Sequence, residues 1–222
     1  MTHTAALADP AFLAPRRCLR EPVDAIAEAA ALLEAGVDAH LAGDRTAAAA
    51  RFRAADLPAV RAWTESLWGS ARANPDQPSY FRIREVPGAP PHLPKGERLA
   101  ERMPTRAEQE ALVAHWGHTC AFCGIPVIHA RVRERIRKAY PEVAIWGTGN
   151  ASQHAALQCM WLQFDHVLPH ARGGGSEPEN VVITCAPCNY GRWNRTLEEM
   201  GLEDPRVRGP EPLDWDGLER FR

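Results

Sequence analysis

The stretch "FDHVLPHARGGGSEPENVVITCAPCN" (residues 164–189) carries more polar chemistry than a core strand needs. An aspartate and a histidine, Asp165 and His166, stand side by side after the apolar run 157–164, which is typical of a strand. Three glycines follow, and the short apolar run 181–184 predicts a second strand. A C-x-x-C-Asn sequence comes next and enters a predicted helix that ends near Gly201. The order is therefore strand, Asp-His, loop, strand and helix.

Six cysteines are present, and four of them form two C-x-x-C pairs, Cys120 with Cys123 and Cys185 with Cys188. In a compartment where thiols stay reduced, two such pairs indicate a metal site, not disulfides. Four thiolates suit a tetrahedral zinc ion and leave no open position, which predicts a structural zinc. A redox C-x-x-C is the alternative, but that motif usually occurs once, near a βαβ unit.

Taken together, the motifs "DHVLP" (165–169), "GGGSEPEN" (173–180) and "CAPCN" (185–189) resemble the HNH endonuclease family. The resemblance covers residues 105 to about 200. It implies an α+β fold class, in which a ββα-metal (HNH/His-Me finger) core is stapled by the four-cysteine zinc site. The segment between Cys123 and Asp165 is longer than in minimal members of the family.

The resemblance also implies roles for individual residues. His166 is expected to be the general base that activates water, since a neutral imidazole is a good base near pH 7. Asp165 and Asn189 are expected to bind a catalytic Mg²⁺ or Mn²⁺ through oxygen, the donor that these ions prefer. Asn180 is expected to tie the loop and orient His166. The implied reaction is hydrolysis of DNA phosphodiester bonds, leaving a 5′-phosphate and a 3′-hydroxyl. Some members place a further histidine ligand where this chain has Trp193.

Basic residues near these motifs are candidates for nucleic-acid contacts. The predicted helix 129–140 holds the densest basic cluster, and a solvated helix face is its alternative. Other candidates lie close to the Asp-His pair in sequence, where each alone is more often a solvated charge. The candidate set is Arg131, Arg135, Lys138, His170, Arg172, Arg192 and Arg195.

The whole chain is expected to divide into four regions. Residues 1–70 form a helical N-terminal region, with helices expected over 23–41, 45–56 and 57–69. Residues 71–104 are rich in proline and predict a linker or an irregular arm. Residues 105–201 form the expected nuclease domain, opened by a helix with the capping-box pair Thr105 and Glu108. Residues 202–222 are expected to be a tail packed back on that domain.

The composition is that of an ordinary globular protein, with 45% hydrophobic and 24% charged residues and a formal net charge of −2. No signal peptide and no apolar stretch of membrane-spanning length are recognisable, so a cytoplasmic location without membrane contact is expected. The expected partner is DNA. RNA stays open as an alternative substrate. A homodimer, or a protein partner bound through the N-terminal helices, also stays open.

Two other interpretations account for parts of the pattern. A non-catalytic, zinc-stapled nucleic-acid-binding module would need the cysteines and the basic residues only. A zinc-stapled protein-interaction adaptor would rest on the N-terminal helices. Neither needs Asp165, His166 and Asn189 together, which favours the nuclease.

Overall fold

The computed structural model describes residues 14–68 and 83–222, and their architecture is α+β. Strands β1 (Leu162–His166) and β2 (Val181–Cys185) pair antiparallel, with Leu162 opposite Cys185 and His166 opposite Val181. The α-helices are α1 (Asp24–Leu41), α2 (Arg45–Ala54), α3 (Pro58–Trp68), α4 (Arg106–Trp116), α5 (Ala130–Ala139), α6 (Ala155–Cys159), α7 (Ala186–Arg192), α8 (Leu197–Met200) and α9 (Pro205–Arg208).

The first three helices lie within the predicted ranges. Asp44 caps α2 by accepting a hydrogen bond from the backbone N–H of Ala47 at 2.9 Å. The apolar face of α1 is buried at Ala30, Leu33 and Val37, whereas Leu41, in the last turn, is 52% exposed. The buried side chains of these helices belong to the same hydrophobic core as those of residues 105–201.

Residues 83–104, called the arm below, are irregular except for a 3₁₀ turn at Lys95–Glu97. The arm packs against the loop that follows β1, where the N–H of Leu93 donates to the carbonyl of Ala171 at 2.9 Å. Its start is held by the N–H of Arg84, which donates to the carbonyl of Glu199 at 2.8 Å. The predictions for residues 1–13 and 69–82 lie outside the described residues.

The helix that opens the cysteine region is capped as predicted. Thr105 Oγ1 accepts from the N–H of Glu108, and the Glu108 carboxylate accepts from the N–H of Thr105 at 2.7 Å. Gly117 ends α4 with a φ of 68°, a conformation that favours glycine. The first cysteine pair follows this turn directly.

Two sequence expectations are corrected. The run 157–164 was expected to be a strand, but Ala155–Cys159 is helical and the strand begins at Leu162. A short, continuous apolar run does not distinguish a buried helix from a strand, and here His154 caps the helix by accepting from the N–H of Leu157. The helix expected to end near Gly201 is interrupted, since α7 ends at Arg192 and α8 starts at Leu197.

The C-terminal tail packs on the rest of the molecule. The indole N–H of Trp215 donates to the carbonyl of Val127 at 3.0 Å. The ring of Phe221 is buried and stacks on His40, with centroids 4.4 Å apart. The tail thereby joins α1 to the segment beyond the first cysteine pair. Across residues 14–68 and 83–222, no helix combines the length and the apolar character that a bilayer span requires.

Candidate active site and metal centre

The Asp-His pair lies where β1 ends. His166 is opposite Val181 in the last pair of the ladder, and the chain then turns, with the N–H of Val167 donating to the carbonyl of Asn180 at 2.7 Å. Neighbouring side chains on a strand point to opposite faces. At this strand end, Asp165 and His166 nevertheless line one cleft of about 370 Å³, together with Asn189, His170 and Trp193.

Asp165 is buried and has two unlike oxygens. Its Oδ1 accepts from the guanidinium of Arg192, which is also buried. Its Oδ2 is buried too, and the described residues offer it no hydrogen-bond donor. Burial raises the pKa of the carboxyl to about 6, although Arg192 acts in the opposite direction. A buried oxygen without a partner is costly unless an ion or a hydrogen-bond donor satisfies it. Oδ2 of Asp165 therefore suits a bound cation.

Asn189 is the fourth residue of α7 and comes directly after the second cysteine pair. Its amide nitrogen lies 3.4 Å from Oε1 of Gln163 and is placed to donate to it. Its amide oxygen is thereby left free to bind a cation in the cleft that Asp165 also lines, because hard cations prefer oxygen ligands. The two oxygen-bearing side chains that the resemblance pairs as ligands are therefore brought to one place.

His166 forms a relay with two residues that the sequence did not indicate. Its Nε2 lies 3.0 Å from Oγ of Ser176, and that Oγ donates to the carbonyl of Glu101 in the arm at 2.9 Å. A hydroxyl has one proton. Because that proton goes to Glu101, Ser176 accepts from Nε2–H of His166, and Nδ1 is left without a proton.

The imidazole of His166 is neutral over the physiological range. Burial lowers its pKa to about 4, and the neighbouring side chains of His170, Arg192 and Arg102 act in the same direction. The ring of His170 lies 5.9 Å from that of His166, centroid to centroid. The Nε2 of His170 is 2.9 Å from the carbonyl of Leu99, which links this second histidine to the arm as well.

The side chain of Asn180 ties the loop by hydrogen bonds to backbone groups. Among the described contacts it makes no hydrogen bond to His166. Its Oδ1 accepts from the N–H of Leu168 at 2.9 Å, and its amide group donates to the carbonyls of Leu168 and Gly175. A Cβ at Gly174 would lie 1.8 Å from the carbonyl oxygen of Leu168. The loop therefore needs glycine there, and the direct partner of His166 is Ser176.

Arg172 and Arg192, both expected at the phosphate backbone, are structural instead. Arg172 is buried and donates to both carboxylate oxygens of Glu199, at 2.8 and 2.9 Å. Arg192 is 1% exposed and donates to Asp165 and to the carbonyls of Val167 and Arg195. The expected phosphate contact is thus corrected for these two residues, because buried arginines require internal acceptors. Arg195 itself is half-buried, 3.8 Å from Glu199.

The basic cluster of α5 does not line the cleft. Arg131 pairs with Glu219 at 2.7 Å, and Arg135 donates to the carbonyl of Phe221 at 3.0 Å. Both residues are exposed, as is Lys138. The first two therefore hold the C-terminal tail, and the cluster forms a surface separate from the Asp-His pair.

The four paired cysteines converge as expected. Their sulfur atoms all lie within 4.8 Å of one another, all four residues are buried, and the group could hold a metal ion. The Sγ atoms of Cys123 and Cys185 are 3.7 Å apart. Tetrahedral thiolates around zinc at about 2.3 Å would stand about 3.8 Å apart, so the spacing fits that ion. The N–H of Ala121, donating to the carbonyl of Ile183 at 2.8 Å, joins the first pair to β2.

A strand pair and a following helix thus bring a carboxylate, an imidazole and an amide to one cleft, in the order that the HNH resemblance implies. The comparison with known families agrees, because residues 152–195 match the HNH endonuclease family model. This range spans β1, the glycine loop, β2 and α7, and the chain therefore carries an HNH domain. Such a domain indicates a nuclease and a nucleic-acid substrate. No curated protein and no solved structure matches the chain.

Proposed function

We propose that this protein is a metal-dependent DNA endonuclease that hydrolyses phosphodiester bonds and leaves a 5′-phosphate and a 3′-hydroxyl. One observation carries the proposal. The buried, unpartnered Oδ2 of Asp165, the neutral imidazole of His166 and the amide of Asn189 belong to a single cleft within the segment that matches the HNH model. A purely structural strand end has no use for this combination.

Asp165 and Asn189 would hold the catalytic Mg²⁺ or Mn²⁺. A divalent ion bound there supplies positive charge that stabilises the phosphate and the departing 3′ oxygen. Arg192 holds Oδ1 of Asp165 and thereby fixes the carboxylate while Oδ2 stays without a protein donor. Fixing a ligand from behind in this way is a common means of orienting metal sites.

His166 would act as the general base through Nδ1. Its Nε2–H is engaged by Ser176, so the proton of the attacking water goes to the opposite ring nitrogen. The lowered pKa leaves the ring unprotonated at neutral pH, so the lone pair of Nδ1 is free. Arg102 and His170 line the same cleft and would contact phosphate oxygens near the scissile bond.

The four-cysteine cluster would hold a structural zinc. It joins the turn after α4 to the end of β2 and the start of α7, the elements that carry the site. We propose residues 105–201 as the nuclease domain, with the arm completing its cleft. One such site cuts one strand, so nicking is the minimal activity.

The test is relaxation of supercoiled plasmid with Mg²⁺ or Mn²⁺, comparing wild type with His166→Ala. The matched control is His115→Ala, since His115 is exposed on α4 and does not line the cleft. Relaxation by the wild type and by His115→Ala, but not by His166→Ala, supports the proposal. Equal rates for wild type and His166→Ala would remove the nuclease assignment from this site.

A further inference from the structure

Two large aromatic side chains stand exposed at the cleft. Tyr190 is 44% exposed and Trp193 is 70% exposed, and both line the cleft that contains Asp165 and His166. Aromatic rings of this size contribute most when they are buried against a partner. Tyr190 and Trp193, called the aromatic rim below, follow Asn189, with Tyr190 in the second half of α7 and Trp193 directly after its last residue.

Folding does not account for the tryptophan. Trp193 follows the last residue of α7 and has a φ of 55°, a region that residues other than glycine rarely adopt. Its N–H donates to the carbonyl of Asn189 at 2.9 Å, a bond that any residue except proline would make. The backbone of Trp193 is therefore in an unfavourable conformation, and burial of the side chain does not offset its cost. This combination points to a use outside folding.

The ring of Tyr190 packs against the segment between Cys123 and Asp165. The Tyr190 ring lies 6.3 Å from that of Trp161, centroid to centroid. The guanidinium of Arg133 covers Trp161 at 4.3 Å and Trp146 at 3.8 Å. Arg133 is attracted to both indole rings, so Tyr190 packs against a group of side chains that hold one another in place.

The charge of the cleft complements a phosphate chain. The arm contributes Arg98 and Arg102, and Arg102 is exposed. Among the described residues that line the cleft, Asp165 is the one acidic side chain, and Arg192 pairs with it. Cationic groups beside exposed aromatic rings are the pattern with which proteins bind single-stranded nucleic acid.

We infer that the cleft takes an unpaired DNA strand, with a base beside the scissile phosphate stacked on the aromatic rim and the backbone held by Arg102. This inference rests on the proposed nuclease function and adds its substrate class. In a duplex the bases are already stacked on their neighbours, and a ring can receive one only after it is unpaired. The preferred substrates are single strands, bubbles and mismatched sites.

The test measures binding by fluorescence anisotropy on the His166→Ala background, which keeps the DNA intact. The probes are labelled oligo-dT and oligo-U of about twenty nucleotides, longer than one binding site, and a duplex of the same length. Oligo-dT is expected to bind more tightly than the duplex. Trp193→Leu is expected to weaken oligo-dT binding by about tenfold or more, and Trp193→Tyr to retain most of it, because stacking needs an aromatic ring.

Two controls isolate the effect. Val207→Ala changes an apolar residue that is 89% exposed and outside the cleft, and it should leave binding unchanged. Trp193→Gly places glycine at a positive φ, which glycine adopts readily, so the variant protein should be as stable as wild type. The same variant should lose oligo-dT binding. A preference for oligo-U over oligo-dT would overturn DNA as the strand.

Equal affinity for oligo-dT and duplex, or unchanged binding by Trp193→Leu, would overturn the inference while plasmid cleavage could still stand. Conversely, oligo-dT binding that depends on Trp193, without cleavage of plasmid or oligonucleotide, would support the binding surface and refute the nuclease.

Discussion

The Nε2 of His166 and the Oγ of Ser176 are 3.0 Å apart, and the serine passes the hydrogen bond on to the carbonyl of Glu101. This relay connects the arm to the Asp-His pair. It selects one tautomer of the imidazole, because a hydroxyl whose proton is given to a carbonyl can only accept from the ring. The backbone of the arm is therefore part of the site.

Ser176→Ala removes this relay and is expected to slow plasmid nicking by about two- to tenfold, the effect of losing one hydrogen bond of about 0.5–1.5 kcal/mol. Ser176→Thr keeps the hydroxyl and should restore most of the rate. The ¹⁵N NMR signals of His166 report the tautomer directly, and Ser176→Ala should add the Nδ1–H form. A tautomer that is unchanged in Ser176→Ala would refute the relay.

The buried pair of Arg192 and Asp165 gives a prediction about stability. Arg192→Met leaves an uncompensated carboxylate in the interior, and it should lower the free energy of unfolding by about 3–5 kcal/mol in urea titrations. The matched surface pair is Arg106 with Glu110, where Arg106→Met should cost no more than about 0.5 kcal/mol. Similar losses for both variants would contradict a structural role for Arg192.

Much of the site could be predicted because its signal is local. The Asp-His pair at a strand end, the C-x-x-C pairs and the capping box of Thr105 each depend on residues close together in sequence. The convergence of the cysteines followed from metal chemistry, since two distant pairs satisfy one tetrahedral ion. Local patterns of this kind survive folding unchanged.

The remainder depends on contacts between segments distant in sequence. Ser176 accepts from His166 because its own proton goes to the carbonyl of Glu101 in the arm, 75 positions away. Arg172 and Arg192 were expected to contact phosphate because they lie close to the Asp-His pair in sequence, but each meets a buried carboxylate from another element. A single sequence does not show which charges will find such partners.

The cysteine cluster predicts a stoichiometric metal. Purified protein should contain about one equivalent of zinc, and Cys185→Ser should lose it, because three thiolates bind the ion far more weakly than four. Cys159→Ala is the control, since Cys159 is also buried but lies outside the cluster. Elemental analysis checks both variants, and zinc retained in Cys185→Ser would exclude the four-cysteine site.

His154 predicts how stability depends on pH. Its Nε2 lies 2.8 Å from the carbonyl of Phe52 and its Nδ1 accepts from the N–H of Leu157, so the fold requires the neutral ring. Burial lowers its pKa below the usual 6.5, with Asp56 opposing that shift and Arg61 adding to it.

Between the lowered pKa of His154 and 6.5, the unfolded chain binds a proton that the folded chain does not. The corresponding stability is complete above 6.5 and is lost as the pH falls, by at most about 1.4 kcal/mol per pH unit. Other buried histidines add the same sign, so the measurement is a comparison. The free energy of unfolding, measured by urea titration at several pH values from 7.5 to about 5, should fall less steeply with decreasing pH for His154→Asn than for wild type. An asparagine still caps α6 but carries no titratable proton. Parallel slopes would show that His154 is not the group responsible.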